Sequence, residues 1–197
     1  GPLKGGLLNL SYGMGQIFLV MTQQAGSQMQ AGVCRLPIPD FPTGVMRGRF
    51  HPGNGHLYAC GMTAWASNKS GDGGFYRVRK ASAPSWMPVG LNVYPDTISL
   101  TFSDALNPQS ATAPKNYAVK AWDLHRSAGY GSPHVKEHPL TVAVASLSLD
   151  GKTVELNIPG LAPTRGMELR CSLRSADGIE FERVIHNTIH ALPARNP

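Results

Sequence analysis

The chain has 197 residues, enough for one large or two small domains with true cores. Hydrophobic residues make up 42% of it and charged ones 15%, a balance that excludes a disordered polyelectrolyte, and no run reaches the roughly 18 apolar residues of a membrane span. The formal charge of +6 is unevenly placed: up to Pro84 eight Lys/Arg stand against two Asp, and after it ten basic residues stand against ten acidic ones.

The whole positive excess therefore lies in the first part. A basic surface of this kind attracts an acidic glycan or a nucleic acid, or it meets a neighbouring domain. No aromatic residues interleave with a lysine-rich run, as they do in single-strand binders, so no nucleic-acid partner is expected.

Period-two apolar patterns dominate from the start, and no convincing helix is found. Strands are expected over 7–12, 16–22, 28–36, 45–50, 56–62 and 74–79. The turns between them are explicit, notably Gly13-Met14-Gly15, Ala25-Gly26-Ser27 and Pro52-Gly53-Asn54-Gly55. Asn-Gly between two alternating runs is the strongest short hairpin signal, so 51–56 reads as a hairpin tip. Two units, about 7–38 and 45–80, align loosely as strand, glycine turn, apolar strand and basic strand. Antiparallel units of this length are expected of propeller blades. Two blades cannot close a ring, so on this reading the chain holds the last part of a longer propeller.

The segment Pro84-Ser85-Trp86-Met87-Pro88 reads as a linker. After it, Ile98, Leu100 and Phe102 alternate with polar residues, a strand follows over 117–122, two alternating strands within 141–161 are joined by the hairpin turn Asp150-Gly151, and strands over 167–172 and 185–190 complete the set. About seven short strands in this length predict an immunoglobulin-type sandwich. The fold class expected is thus all-β: propeller-blade-like units over 1–84, then an Ig-like β-sandwich over 85–197.

Two stretches carry a family resemblance. "ISLTFSDALNPQSATAPKNYAV" with "LSLDGKTVELNIPGL" resembles bacterial Ig-like domains. "FPTGVMRGRFHPGNGHLYACGMTAW", "GGFYRVR", "AWDLHRSAGYGS" and "HNTIH" resemble the C-terminal region of large secreted proteins of planctomycete-type bacteria. In those proteins a glucose/sorbosone-dehydrogenase-like propeller precedes an Ig-like domain, often beside cytochrome or cupredoxin modules. The resemblance implies a secreted or periplasmic location and, as partners, upstream propeller or cytochrome-type domains of the same protein. No catalytic base, cofactor contact or calcium ligand of such propellers maps onto a residue here, so the resemblance implies no cofactor and no catalytic residue in this chain. Three functions stay open: a non-catalytic portion acting in interdomain packing or glycan contact, a catalytic or electron-transfer fragment of a sugar-dehydrogenase-like oxidoreductase, or a free-standing carbohydrate-binding module.

Arg47 and Arg49 share a face of their strand, as do Arg77 and Arg79 of theirs. Were the strands neighbours, four guanidinium forks suited to carboxylate or phosphate would share one surface. The alternative is a set of ion pairs with a partner domain, or a solvated face. Trp65 and Tyr130, in glycine-flanked loops, are candidates for stacking on a pyranose ring. His134 and His138, with Glu137 between them, have the donor types of a metal site, as has the pair His186 and His190, whose strand spacing of roughly 13 Å is too wide for one ion. His51 and His56 flank the hairpin tip. Cys34, Cys60 and Cys171 form no CxxC; they are read as three buried thiols, with a Cys34–Cys60 pairing open.

Overall fold

The computed structural model describes residues 3–63 and 69–195. It is all-β, built from several antiparallel sheets. The strands are β1 (Leu7–Ser11), β2 (Gln16–Ala25), β3 (Gln28–Arg35), β4 (Gly44–Phe50), β5 (Leu57–Met62), β6 (Gly73–Val78), β7 (Pro88–Tyr94) and β8 (Thr97–Phe102). A single helical turn, α1 (Pro108–Ala111), and a 3-10 turn (Pro114–Asn116) lead to β9 (Tyr117–Leu124), β10 (His134–Leu140), β11 (Val144–Leu147), β12 (Thr153–Asn157), β13 (Thr164–Arg174) and β14 (Glu180–Ile189). The chain divides into two compact units, residues 1–20 with 35–85, and residues 21–34 with 86–197.

In the first unit, β1 pairs with the opening half of β2, Leu8 opposite Leu19 and Leu10 opposite Ile17. β4, β5 and β6 form a separate three-stranded sheet. Ile17, Leu19, Val45, Leu57 and Ala59 are buried, as the alternation requires of the inward side of each strand. Phe41 packs on Tyr76 at 4.7 Å between ring centres, and the Tyr76 hydroxyl meets Thr43 Oγ1 at 2.8 Å. Gly15, at φ +58°, lies so close to the Thr43 and Phe41 carbonyls that a Cβ would fall 2.6 Å and 2.8 Å from them. Only glycine fits a left-handed turn that crowded.

The second unit sets the sheet β11-β12-β8-β7 beside strands ordered β3-β14-β13-β9-β10. Ile98, Leu100, Phe102, Val154 and Leu156 of the smaller sheet are buried, with Met167, Leu169, Leu173, Ile185 and Ile189 of the larger. The sheets touch where Phe102 meets Phe181 edge to face at 6.3 Å, and where Leu91 fills the space a side chain at position 32 would need.

Three elements differ from expectation. β7 begins inside the expected linker, because Met87 and Pro88 are buried and Leu91 and Val93 continue the inward face. β10 carries six exposed residues out of seven, so no apolar alternation marks it. α1 arises where no helix is expected: Asn107 caps it by accepting the Ser110 N–H at 3.0 Å, with Pro108 at the first helical position, where its missing N–H costs nothing.

Candidate functional site

The hairpin of β4 and β5 is built as its sequence requires. Gly55, at φ +66°, takes the left-handed position of the turn and donates its N–H to the His51 carbonyl at 2.8 Å. Asn54 Oδ1 accepts the His56 N–H at 2.9 Å. His51 Nδ1 accepts the N–H groups of Gly53 and Asn54 at 3.1 Å and 3.3 Å. The ring of His51 therefore locks the tip, and its Nδ1 lone pair is committed to the backbone.

Register then sets the sheet's open face. Arg49 stands opposite Tyr58 and Arg47 opposite Cys60, while Arg77 stands opposite Tyr58 and Phe75 opposite Cys60 on the other side. Two rows cross the sheet, Arg49–Tyr58–Arg77 and Arg47–Cys60–Phe75. The alternation continues one step further to His51, His56 and Arg79, where the His51 N–H donates to the His56 carbonyl at 2.9 Å. The opposite face carries Gly48, Ala59 and Tyr76 and is the inward one. A Cβ at Gly48 would come within 3.0 Å of Leu57 Cδ1 and 3.2 Å of Leu10 Cδ2, so glycine there lets β4 close on the core.

β4 and β6 are not neighbours: β5 lies between them. The guanidiniums thus flank a central tyrosine instead of forming one contiguous block. Tyr58 stacks on Phe75 with centroids 5.7 Å apart and planes 21° apart, and Phe75 stays 75% exposed. Asn54 Nδ2 donates to the Tyr58 hydroxyl oxygen at 3.3 Å, which leaves the hydroxyl proton available to an outside acceptor. A groove of about 650 Å³ lies over the β4 side of this face, with Arg47, Arg49, His51, Tyr58, Cys60 and Phe75 in its lining but neither Arg77 nor Arg79.

The electrostatics are one-sided. Asp40 is engaged by Arg35 at 2.5 Å and Lys69 at 2.9 Å. Hydrogen bonding from Lys69 above all, with help from Gln16 and the charge of Arg35, holds its carboxyl below the usual range. Among the described residues, none of Arg47, Arg49, Arg77 and Arg79 has a carboxylate within ion-pair reach. Arg49 Nη1 donates to the carbonyl of its neighbour Gly48 at 2.9 Å.

The other predicted residues fall elsewhere. Trp65 lies outside the described residues. Tyr130 is fully exposed in the β9–β10 connection of the second unit. On β10, His134 stacks on Trp122 at 4.3 Å, and Glu137 lies 3.7 Å from His134 and 3.3 Å from Lys120. His138 Nδ1 is 2.9 Å from the Lys136 carbonyl, across an irregularity in register between Val135 and His138. Among the described residues, no three His, Cys, Asp or Glu side chains gather closely enough to hold a metal ion. His186 faces Glu168 at 4.0 Å. All three cysteines are free thiols. Burial pushes Cys34 up to about 12 and raises Cys171 as well, which keeps both inert. Cys60 departs from the expected burial: it points to the open face of β5 and is exposed in the groove.

Sequence reasoning misses Tyr58, Cys60 and Phe75, because it looks for aromatics along a basic run. They interleave with the arginines across strands. Counting outward from the Asn54-Gly55 turn would have found Tyr58 opposite Arg49.

Comparison with known proteins adds no relative: no family model, no curated protein and no solved structure matches the chain. No helix among the described residues is long and apolar enough to cross a membrane.

Proposed function

We propose that this chain is a non-catalytic binding portion of a larger secreted protein, and that the open face of β4-β5-β6 is where it contacts an anionic glycan. The observation that carries the reading is a set of guanidiniums with no carboxylate in ion-pair reach among the described residues, on both sides of the half-buried Tyr58 and the exposed Phe75. Arg170 and Arg174 of the second unit, by contrast, meet Glu182 and Glu180 at 2.5 Å and 2.6 Å. The resemblance to propeller proteins that end in an Ig-like sandwich is compatible with this role. In this reading the three-stranded sheet is blade-like and the two-sheet second unit is the sandwich.

The test is retention on an immobilised sulfated glycan, eluted with a salt gradient. The chain should be retained at low salt and released as the Debye length shrinks. The double change Arg47→Gln/Arg49→Gln should elute markedly earlier with little loss of melting temperature, since exposed charges contribute at most about 1 kcal/mol each to stability. A double variant that unfolds while its retention is unchanged would make the arginines structural and remove the reading.

A further inference from the structure

We infer that the ligand of this face is a polymer of carboxylated pyranoses, a uronate chain, with one ring on the Tyr58–Phe75 platform and the carboxylates of its neighbours in the flanking arginine forks. The inference rests on the binding reading above and names its ligand class.

Three features select this class among polyanions. First, the charges are all guanidinium, whose planar fork pairs with carboxylate and phosphate alike through two parallel hydrogen bonds, so the arrangement of the rings has to separate the two. Second, the aromatic surface centres on one stacked pair, Tyr58 and Phe75, with the His51 and His56 rings 6.0 Å and 6.5 Å from Tyr58 at the hairpin tip, where His51 Nδ1 is bonded to the backbone. Tyr58 and Phe75 are diagonal neighbours stacked on each other, so they present one place for a flat apolar ring face. A single-stranded nucleic acid is held by successive platforms, one per base, along the strand direction. Here the positions before and after Tyr58 along β5 on this face are His56 and Cys60. Third, the arginines lie on both sides of the platform. Arg49 and Arg77 are one strand away from Tyr58, roughly 5 Å on either side, and Arg47 is two residues along β4 from Arg49, roughly 7 Å. A chain crossing the sheet meets charge, ring and charge in turn. Tyr58 OH and Asn54 Nδ2, joined at 3.3 Å, add the donor and acceptor groups that sugar hydroxyls need.

The experiment is a titration of the full chain with four soluble probes: polygalacturonate, the same polymer fully methyl-esterified, dextran sulfate and poly-deoxythymidine. Polygalacturonate should bind best, with the ester weaker by roughly tenfold or more because it keeps the rings and loses the charge, about 1.4 kcal/mol. Arg47→Gln/Arg49→Gln and Phe75→Ala should each weaken polygalacturonate binding, with melting curves close to the parent. If dextran sulfate or poly-deoxythymidine binds as well as polygalacturonate, or if Phe75→Ala changes nothing, the uronate assignment fails while a polyanion-binding face survives. Equal binding of the methyl ester also overturns it. If none of the probes binds, or the arginine change leaves binding intact, the binding reading itself falls.

Discussion

Gln23 and Gln30 are among the few polar side chains buried in the second unit, and they act as a pair. Gln23 Oε1 accepts the Val93 N–H at 2.8 Å and the Gln30 amide at 2.8 Å, and its own amide donates to the Val93 carbonyl at 3.0 Å. Gln30 Oε1 accepts the N–H groups of His190 and Ala191 at 3.0 Å and 3.2 Å. Two amides thus satisfy backbone groups of two separate segments. Replacing Gln30 with Leu strands the His190 and Ala191 donors, at roughly 1–3 kcal/mol for each donor kept from water. The Gln30→Leu chain should show a clearly lower denaturant midpoint. Asp40 makes a smaller, pH-dependent contribution. Its lowered carboxyl value means that its stabilisation is present above the unfolded Asp value, about 3.9, and is lost as pH falls through the folded one. Asp40→Asn should therefore lower the unfolding free energy slightly at neutral pH, by less than about 1 kcal/mol for so exposed a cluster. At pH well below the carboxylate range the difference from the parent should vanish.

At the scale of elements, irregularities in the strands mark where side chains need room. β13 shifts register between Thr164 and Met167, and within that shift Gly166 faces Trp122 of β9. A Cβ at Gly166 would lie 2.4 Å from Trp122 Cε2. The indole occupies that space, 7% exposed, with the His134 ring on its other side. Gly166→Ala should push the indole out, cost about 1–3 kcal/mol as other overpacked sites do, and change the near-ultraviolet dichroism of tryptophan. A variant with the parent's spectrum and stability would mean that the strand absorbs the methyl by backbone movement alone. The sheet β4-β5-β6 follows the same logic with Gly48: a glycine on the inward face lets the outward face carry arginine and tyrosine.

For the whole molecule, the division into units does not follow the chain. Residues 21–34 belong with 86–197, because β3 pairs with β14, Cys34 opposite Ile185 and Gly32 opposite Asn187. Leu91, from the other sheet, packs over Gly32. A fragment cut at the apparent linker, residues 86–197, lacks that strand and leaves the β14 edge bare, with Leu91 uncovered. Unpaired strand edges and exposed apolar side chains favour aggregation. The fragment should bind a hydrophobic dye and melt without a sharp transition, whereas the full chain melts cooperatively. A fragment as cooperative as the parent would show that residues 21–34 are dispensable to the second unit.

Much of the strand inventory is legible in the sequence, since alternation over Ile98–Phe102 or Val154–Leu156 is a local signal of a half-buried strand. The Asn54-Gly55 turn and the like-facing arginine pairs are local too, and so is the charge asymmetry about Pro84. β10 escapes because an edge strand exposed along its length needs no apolar period. The pairing of β3 with β14 escapes because it joins residues about 150 positions apart through backbone hydrogen bonds, which carry no mark of side-chain identity. The open face belongs to the same category. Arg49, Tyr58 and Arg77 become a row only when β5 takes its place between β4 and β6, and strand order and register are properties of the folded sheet.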